Sequence, residues 1–212
     1  MSQLSPHWSI NYAMGQGIDH SAGVSVSFSQ ELAGYIDFEE TGYDAAFRAG
    51  QEAGQRLTLR LAITADDVDR AIVEGRATAR VTGWVRGGAL GGPLEVEHGE
   101  FHLAIGTDGT RRMDYRLPFH DGADRPVTLV GFKEVRGRLS DGAPALHTRL
   151  LGGHVDAEGE PVAPVIATGI LHLHPEEFAR QLSSFRVSPP LRLDALARFG
   201  VLFAGDIWQT YR

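Results

Sequence analysis

A chain of 212 residues, 42% hydrophobic and 22% charged, suits one large domain or two small ones and can bury a substantial core. No apolar run reaches the roughly 18 to 20 residues that a membrane helix needs, which excludes a helical span. The formal net charge of −7 and the lack of a dense Lys/Arg cluster argue against a nucleic-acid partner, and the absence of cysteine rules out disulfides, thiolate metal sites and cysteine nucleophiles.

Residues 1–23 have neither a basic start nor an apolar stretch of the secretory kind and read as a flexible leader. Residues 24–212 read as one domain, with a cytoplasmic location expected. "ELAGYIDFE" is the first strand candidate, and "GYDAAFRAGQEAG" behind it reads as a loop with one turn of helix. In "RLTLRLAIT", Leu57, Leu59, Leu61 and Ile63 recur at period two, the pattern of a half-buried strand. "TADDVDRAIVEG" is a predicted helix, with Thr64 or Asp66 as its cap, acids in its first turn and Gly75 as its stop.

"ATARVTGWV" is another strand, and "RGGALGGP" after it poses a choice between a phosphate cradle and a hairpin. A phosphate loop wants a helix behind it and a Gly-Lys-Ser/Thr ending. Here Pro93 opens a further strand pattern and no lysine is near, so the glycines read as positive-φ positions in a hairpin at a barrel rim. The two strands in that next segment, "PLEVEHGEFHLAI", are out of phase: Leu94 and Val96 are even, Phe101, Leu103 and Ile105 odd. A β-bulge at His98–Gly99 accounts for the shift.

"RRMDYRLPFH" places Met113, Tyr115, Leu117 and Phe119 on one face, and "VTLVGFKEV", "ALHTRLL" and "VIATGILHLH" complete the strand candidates. A glycine precedes a bulky residue inside four strands (Gly34-Tyr35, Gly83-Trp84, Gly131-Phe132 and Gly169-Ile170), as tight bending in a barrel requires. "HPEEFARQLSSF" and "LRLDALARFGVLFAGDIWQTY" predict C-terminal helices over 176–185 and 191–209, separated by "VSPP". The expected fold is mainly β: an antiparallel, closed or nearly closed, calycin-like (lipocalin-like) barrel with one crossing helix and C-terminal helices.

The blocks "LAGYIDFEETGYDAAFRAGQEAG", "ITADDVDRAI", "GWVRGGALGGPLEVEHGEFHL", "MDYRLPFHDGADRPVTLVGFKEV" and "GILHLHPEEFARQL" together resemble a bacterial domain without an assigned activity. That domain is fused to, or encoded beside, GMC-type flavin oxidoreductases of the cholesterol-oxidase kind. The resemblance runs from about Leu32 to Phe203 and implies a flavoenzyme partner and a sterol- or lipid-oxidising setting, with no catalytic residues. One departure follows "GFKEV". The domain usually continues there into a tryptophan and an Asp-Thr-Thr-type run, whereas this chain has Ala143, Pro144 and Ala145.

No G-x-S-x-G elbow, dinucleotide fingerprint or glycosidase-type carboxylate pair is present, and no cofactor is expected. His172 and His174 share a strand face, but a third metal ligand at a suitable spacing is lacking, and His98 with His102 completes the set only if the strands adjoin. No metal site is expected. Lys133 and Glu134 point to opposite faces, so one of them turns inward.

The candidate ligand-binding residues are Trp84, His102, Met113, Tyr115, Phe119, Lys133 and His172, whose apolar and polar side chains either line a cavity or fill the barrel. The leading expectation is a barrel that binds a hydrophobic small molecule (sterol, lipid or polyketide-like) as an accessory to an oxidoreductase. Two alternatives stay open: a cofactor-independent cyclase or isomerase, and an interaction module that docks to the flavoenzyme. A homodimer is compatible with each.

Overall fold

Alternating apolar residues close into a barrel in the computed structural model, which describes residues 24–135, 145–173, 180–181, 183–188 and 197–200. Eight strands follow one another: β1 (Ser25–Asp37), β2 (Arg56–Ala65), β3 (Arg76–Gly87), β4 (Gly92–Ile105), β5 (Arg111–His120), β6 (Pro126–Val135), β7 (Ala145–Gly152) and β8 (Val165–His172). Every neighbouring pair is antiparallel, and β1 pairs with both β2 and β8, so the sheet closes. A short ninth strand, β9 (Arg186–Ser188), continues the seam beside Ser25–Ser27. Between β8 and β9 the hydroxyl of Ser184 accepts a hydrogen bond from the Ser29 N–H at 2.8 Å, covering an otherwise open stretch of β1. Closure pairs β1 on both sides and so removes most of the edge that an open sheet would offer another chain.

The predicted strand faces are the inward faces: Leu57, Leu59, Leu61 and Ile63 are buried, as are Met113, Tyr115, Leu117 and Phe119. The phase change in β4 is a bulge. Val81 faces Gly99 and Gly83 faces Val96, so Thr82 alone opposes Glu97 and His98, both of which point outward. The glycine-rich turn is a hairpin, with a 3-10 turn at Gly88–Leu90 and φ of 100° and 116° at Gly91 and Gly92. It packs on the β5–β6 turn, where the Gly122 N–H donates to the Leu90 carbonyl at 2.7 Å. At the seam, a Cβ on Gly34 would lie 2.0 Å from the Ile170 carbonyl oxygen, and one on Gly169 would lie 2.2 Å from that of Tyr35. Glycine is there because the two backbones approach too closely for any side chain.

Two local expectations are corrected. "GYDAAFRAGQEAG" is not a loop but contains a ten-residue helix, α1 (Tyr43–Glu52). Its glycines weaken the local signal, yet Ala46 and Gly50 are the buried face that lets the helix lie against Ile36, so tertiary packing overrides propensity. The crossing helix α2 (Val68–Glu74) is capped by Asp67, whose carboxylate accepts from the Arg70 N–H at 3.0 Å, and not by Thr64 or Asp66. Thr64 belongs to β2, and Asp66 is taken by a two-pronged contact with Arg80 at 3.0 Å. Gly75 ends the helix with φ 63°, as expected.

Of the predicted helix over 176–185, residues 180, 181, 183 and 184 are described and helical; of that over 191–209, residues 197–200. Phe185 is described but not helical, and the remainder of both helices, the leader 1–23, His174, Ala143 and Pro144 lie outside the described residues. Among the described residues no helix is long and apolar enough to cross a membrane.

Among the described residues the inward side chains pack closely. Leu57, Leu59, Phe101, Leu117, Phe119 and Leu129 each have 0% exposure, so no water-sized void touches them. Phe185 stacks on Phe28 with ring centroids 4.7 Å apart, and Phe199 joins the same core, so the C-terminal segment supplies part of the packing.

Candidate functional site

The structure divides the predicted ligand residues into two sets. Met113, Tyr115, Phe119 and Lys133 face the packed interior; Trp84, His102 and His172 lie on the outer wall. Lys133 is the inward member of its pair with Glu134. Its exposure is 3%, its Nζ lies 5.4 Å from the Tyr115 ring centroid, and it has no carboxylate partner among the described residues. Tyr115 continues this inner polar strip, its hydroxyl accepting from Gln30 Nε2 at 3.0 Å. Met113, Tyr115, Phe119 and Lys133 are each at most 3% exposed, and Tyr115 also borders the outer groove of β4 to β7.

Outside, the three scatter. Trp84 is 48% exposed on the β2–β3 wall between Arg60 and Arg86. His172 lies under α1, its ring edge-on to Phe47 at 5.5 Å. His102 borders a groove on the far side, near Glu100 at 3.5 Å.

That groove, about 430 Å³, is the best-built concavity for chemistry. Its floor is the outer face of β4 to β7, its wall is Tyr43 at the start of α1, and its lip is Ala157 and Glu160 after β7. Alternation builds the floor: because Gly131 and Lys133 face inward, Phe132 faces outward, and register sets it between Asp114 on β5 and His147 on β7. Phe132 stacks on His147 with centroids 5.1 Å apart and planes 19° apart, and Tyr43 meets both rings edge-on at 6.0 and 5.1 Å. The guanidinium of Arg112 sits 4.6 Å above Phe132, and that of Arg149 sits 5.2 Å above Tyr43.

The arginines differ in how they are satisfied. Arg112 pairs with Asp114 at 3.0 Å and Glu134 at 3.3 Å; Arg116 pairs with Glu160 at 2.9 Å and Glu100 at 3.6 Å. Arg149 has no carboxylate partner among the described residues and rests only on the Tyr43 ring. Two more groups are unmatched among the described residues: Arg116 Nε and His147 Nδ1 are buried without a hydrogen-bond partner, which carries a desolvation cost. Metal-ligating side chains gather elsewhere, beside the bulge, where ligand atoms of Glu97, His120 and His154 lie within 4.8 Å of one another.

Tyr43, Phe132, His147 and Arg149 were not anticipated. One signal was present. The recurring glycine–bulky pairs put Tyr35, Trp84, Phe132 and Ile170 on the outer wall, and large apolar residues on a face otherwise rich in charge mark cover or contact. No family model, curated protein or solved structure matches the chain.

Proposed function

We propose that this is a small-molecule-binding barrel whose ligand, a planar molecule bearing a carboxylate or similar anion, occupies the outer groove of β4 to β7. The observation that carries the reading is Arg149, held over Tyr43 without an acidic partner among the described residues, at the mouth of a groove walled by aromatic rings. A guanidinium presents a rigid fork of donors that matches a carboxylate bidentately, and stacking on a ring preorganises it. Phe132, His147 and Tyr43 supply apolar faces for a flat ligand, with edge-on and stacked geometries both available. The close packing of the described inward side chains argues for the wall over the lumen as the binding place. In this reading the chain is a binding accessory, and the flavin-dependent partner implied by the resemblance does the oxidation.

Calorimetric titration with 2-naphthoate, against neutral 2-naphthalenemethanol, tests the assignment. Naphthoate is expected to bind at one site and the alcohol at least tenfold more weakly. Arg149→Ala should remove the difference, since a charge-assisted hydrogen bond contributes about 1.5–3 kcal/mol. Equal binding of the two probes, or no binding of either, overturns the reading.

A further inference from the structure

We infer that Glu97, His120 and His154 form a binding site for a divalent transition-metal ion. The site is separate in its residues from the aromatic groove and does not depend on it.

The donor set comes first. Two imidazoles and one carboxylate suit zinc, iron(II), cobalt(II) or manganese(II), whereas calcium and magnesium prefer all-oxygen shells. His120 Nδ1 lies 2.6 Å from Glu97 Oε1, and the His120 and His154 rings are 4.8 Å apart at 72°. Metal–ligand bonds of about 2.0–2.2 Å set neighbouring donor atoms roughly 3.0–3.5 Å apart. Since all three donors already lie within 4.8 Å, side-chain rotations of about an ångström complete the set.

Each ligand is aimed by a distinct feature of the backbone. The bulge opposite Thr82 turns Glu97 outward together with His98, the re-aiming that bulges provide beside functional sites. His120 is outward because it follows Phe119, which is wholly buried in the core. His154 lies in the connection after β7, and Thr128 clamps it from both sides. The Thr128 hydroxyl donates to the Gly153 carbonyl at 2.8 Å and accepts from the Val155 N–H at 2.9 Å. Thr128 itself is inaccessible to solvent, so this clamp is rigid. A loop histidine whose flanking backbone is tied to a buried threonine is preorganised in a way that a chance surface histidine is not.

Charge favours a cation as well. The concavity around His154 also carries His98, Glu100, Asp156 and Glu158, with Arg116 as the one arginine or lysine among its described lining residues. Three protein ligands leave further coordination positions open to water or to a second molecule.

The test uses the full chain, stripped with chelator and titrated with cobalt(II) and zinc. One equivalent of cobalt(II) is expected to bind and to develop visible d–d absorption. Zinc should displace it and raise the melting temperature. Glu97→Gln, His120→Ala and His154→Ala should each weaken binding at least tenfold while melting like the wild type in chelator, which shows that they remain folded. His98→Ala and His102→Ala serve as outward-facing controls and should bind as the wild type does. If the wild type takes up no ion, or if any one of the three ligand variants binds as tightly as the wild type, the proposal is overturned.

Discussion

Replacing Gly34 by alanine tests how the barrel closes. The added methyl would sit 2.0 Å from the Ile170 carbonyl oxygen and 2.8 Å from the Leu171 Cα, both backbone atoms of β8. A carbon–oxygen contact relaxes only near about 3.3 Å, so the strands must part by more than an ångström. The seam offers little slack, because β1 pairs with β8 only from Ala33 to Asp37. Loss of two ladder hydrogen bonds at about 1 kcal/mol each, added to overpacking of about 1–3 kcal/mol, gives a destabilisation of about 3–5 kcal/mol. Alanine also stiffens the unfolded chain, which returns at most about 1 kcal/mol. The control is Gly88→Ala, where nothing lies within 4 Å of the new methyl and φ is not positive, so a change within about 0.5 kcal/mol is expected. Urea unfolding followed by circular dichroism gives both values. A Gly34→Ala protein as stable as the Gly88→Ala protein would refute closure through a glycine seam.

Lys133→Met should stabilise the fold by about 1–3 kcal/mol, because the buried amine has no ionic partner among the described residues and an apolar residue of similar length removes its desolvation cost. The contact with the Tyr115 ring, worth at most about 2 kcal/mol, only partly offsets that cost; a lowered urea midpoint would count against the argument. Asp121 is held below the usual aspartate range, first by the side-chain hydrogen bond from Arg125 and then by the Arg125 and Ala123 N–H groups. Its stabilisation is therefore complete above the unfolded value of about 3.9 and is lost as pH falls through the lower folded value. The melting-temperature gap between the wild type and Asp121→Asn should be full at pH 5–7 and shrink below pH 4, and a gap that persists undiminished at pH 2 would contradict it.

Much of the architecture was written locally. Strand patterns marked a stretch of each of the eight barrel strands (at period two in β2 and β5, and in β1 only from Glu31 onward), the break in phase at His98–Gly99 announced the bulge, and the glycines after Gly87 announced a hairpin, because side-chain direction and positive φ are properties of a few adjacent residues. Parity also separated Lys133 from Glu134 and required one of them inside. Which one turned inward was decided by registering β6 against β5 and β7. Tertiary structure alone decided three further things. Helix α1 formed because Ala46 and Gly50 found the β1 wall, although the glycines around them are poor helix formers. The described inward aromatics pack against one another, because closure between β1 and β8 brings the walls together and Phe185 and Phe199 join the core from far along the chain. Tyr43 met Phe132 and His147, and Glu97 met His120 and His154, because strand register and loop paths set which outward residues become neighbours. Periodicity shows which way a side chain points; only the pairing of distant strands determines what it faces.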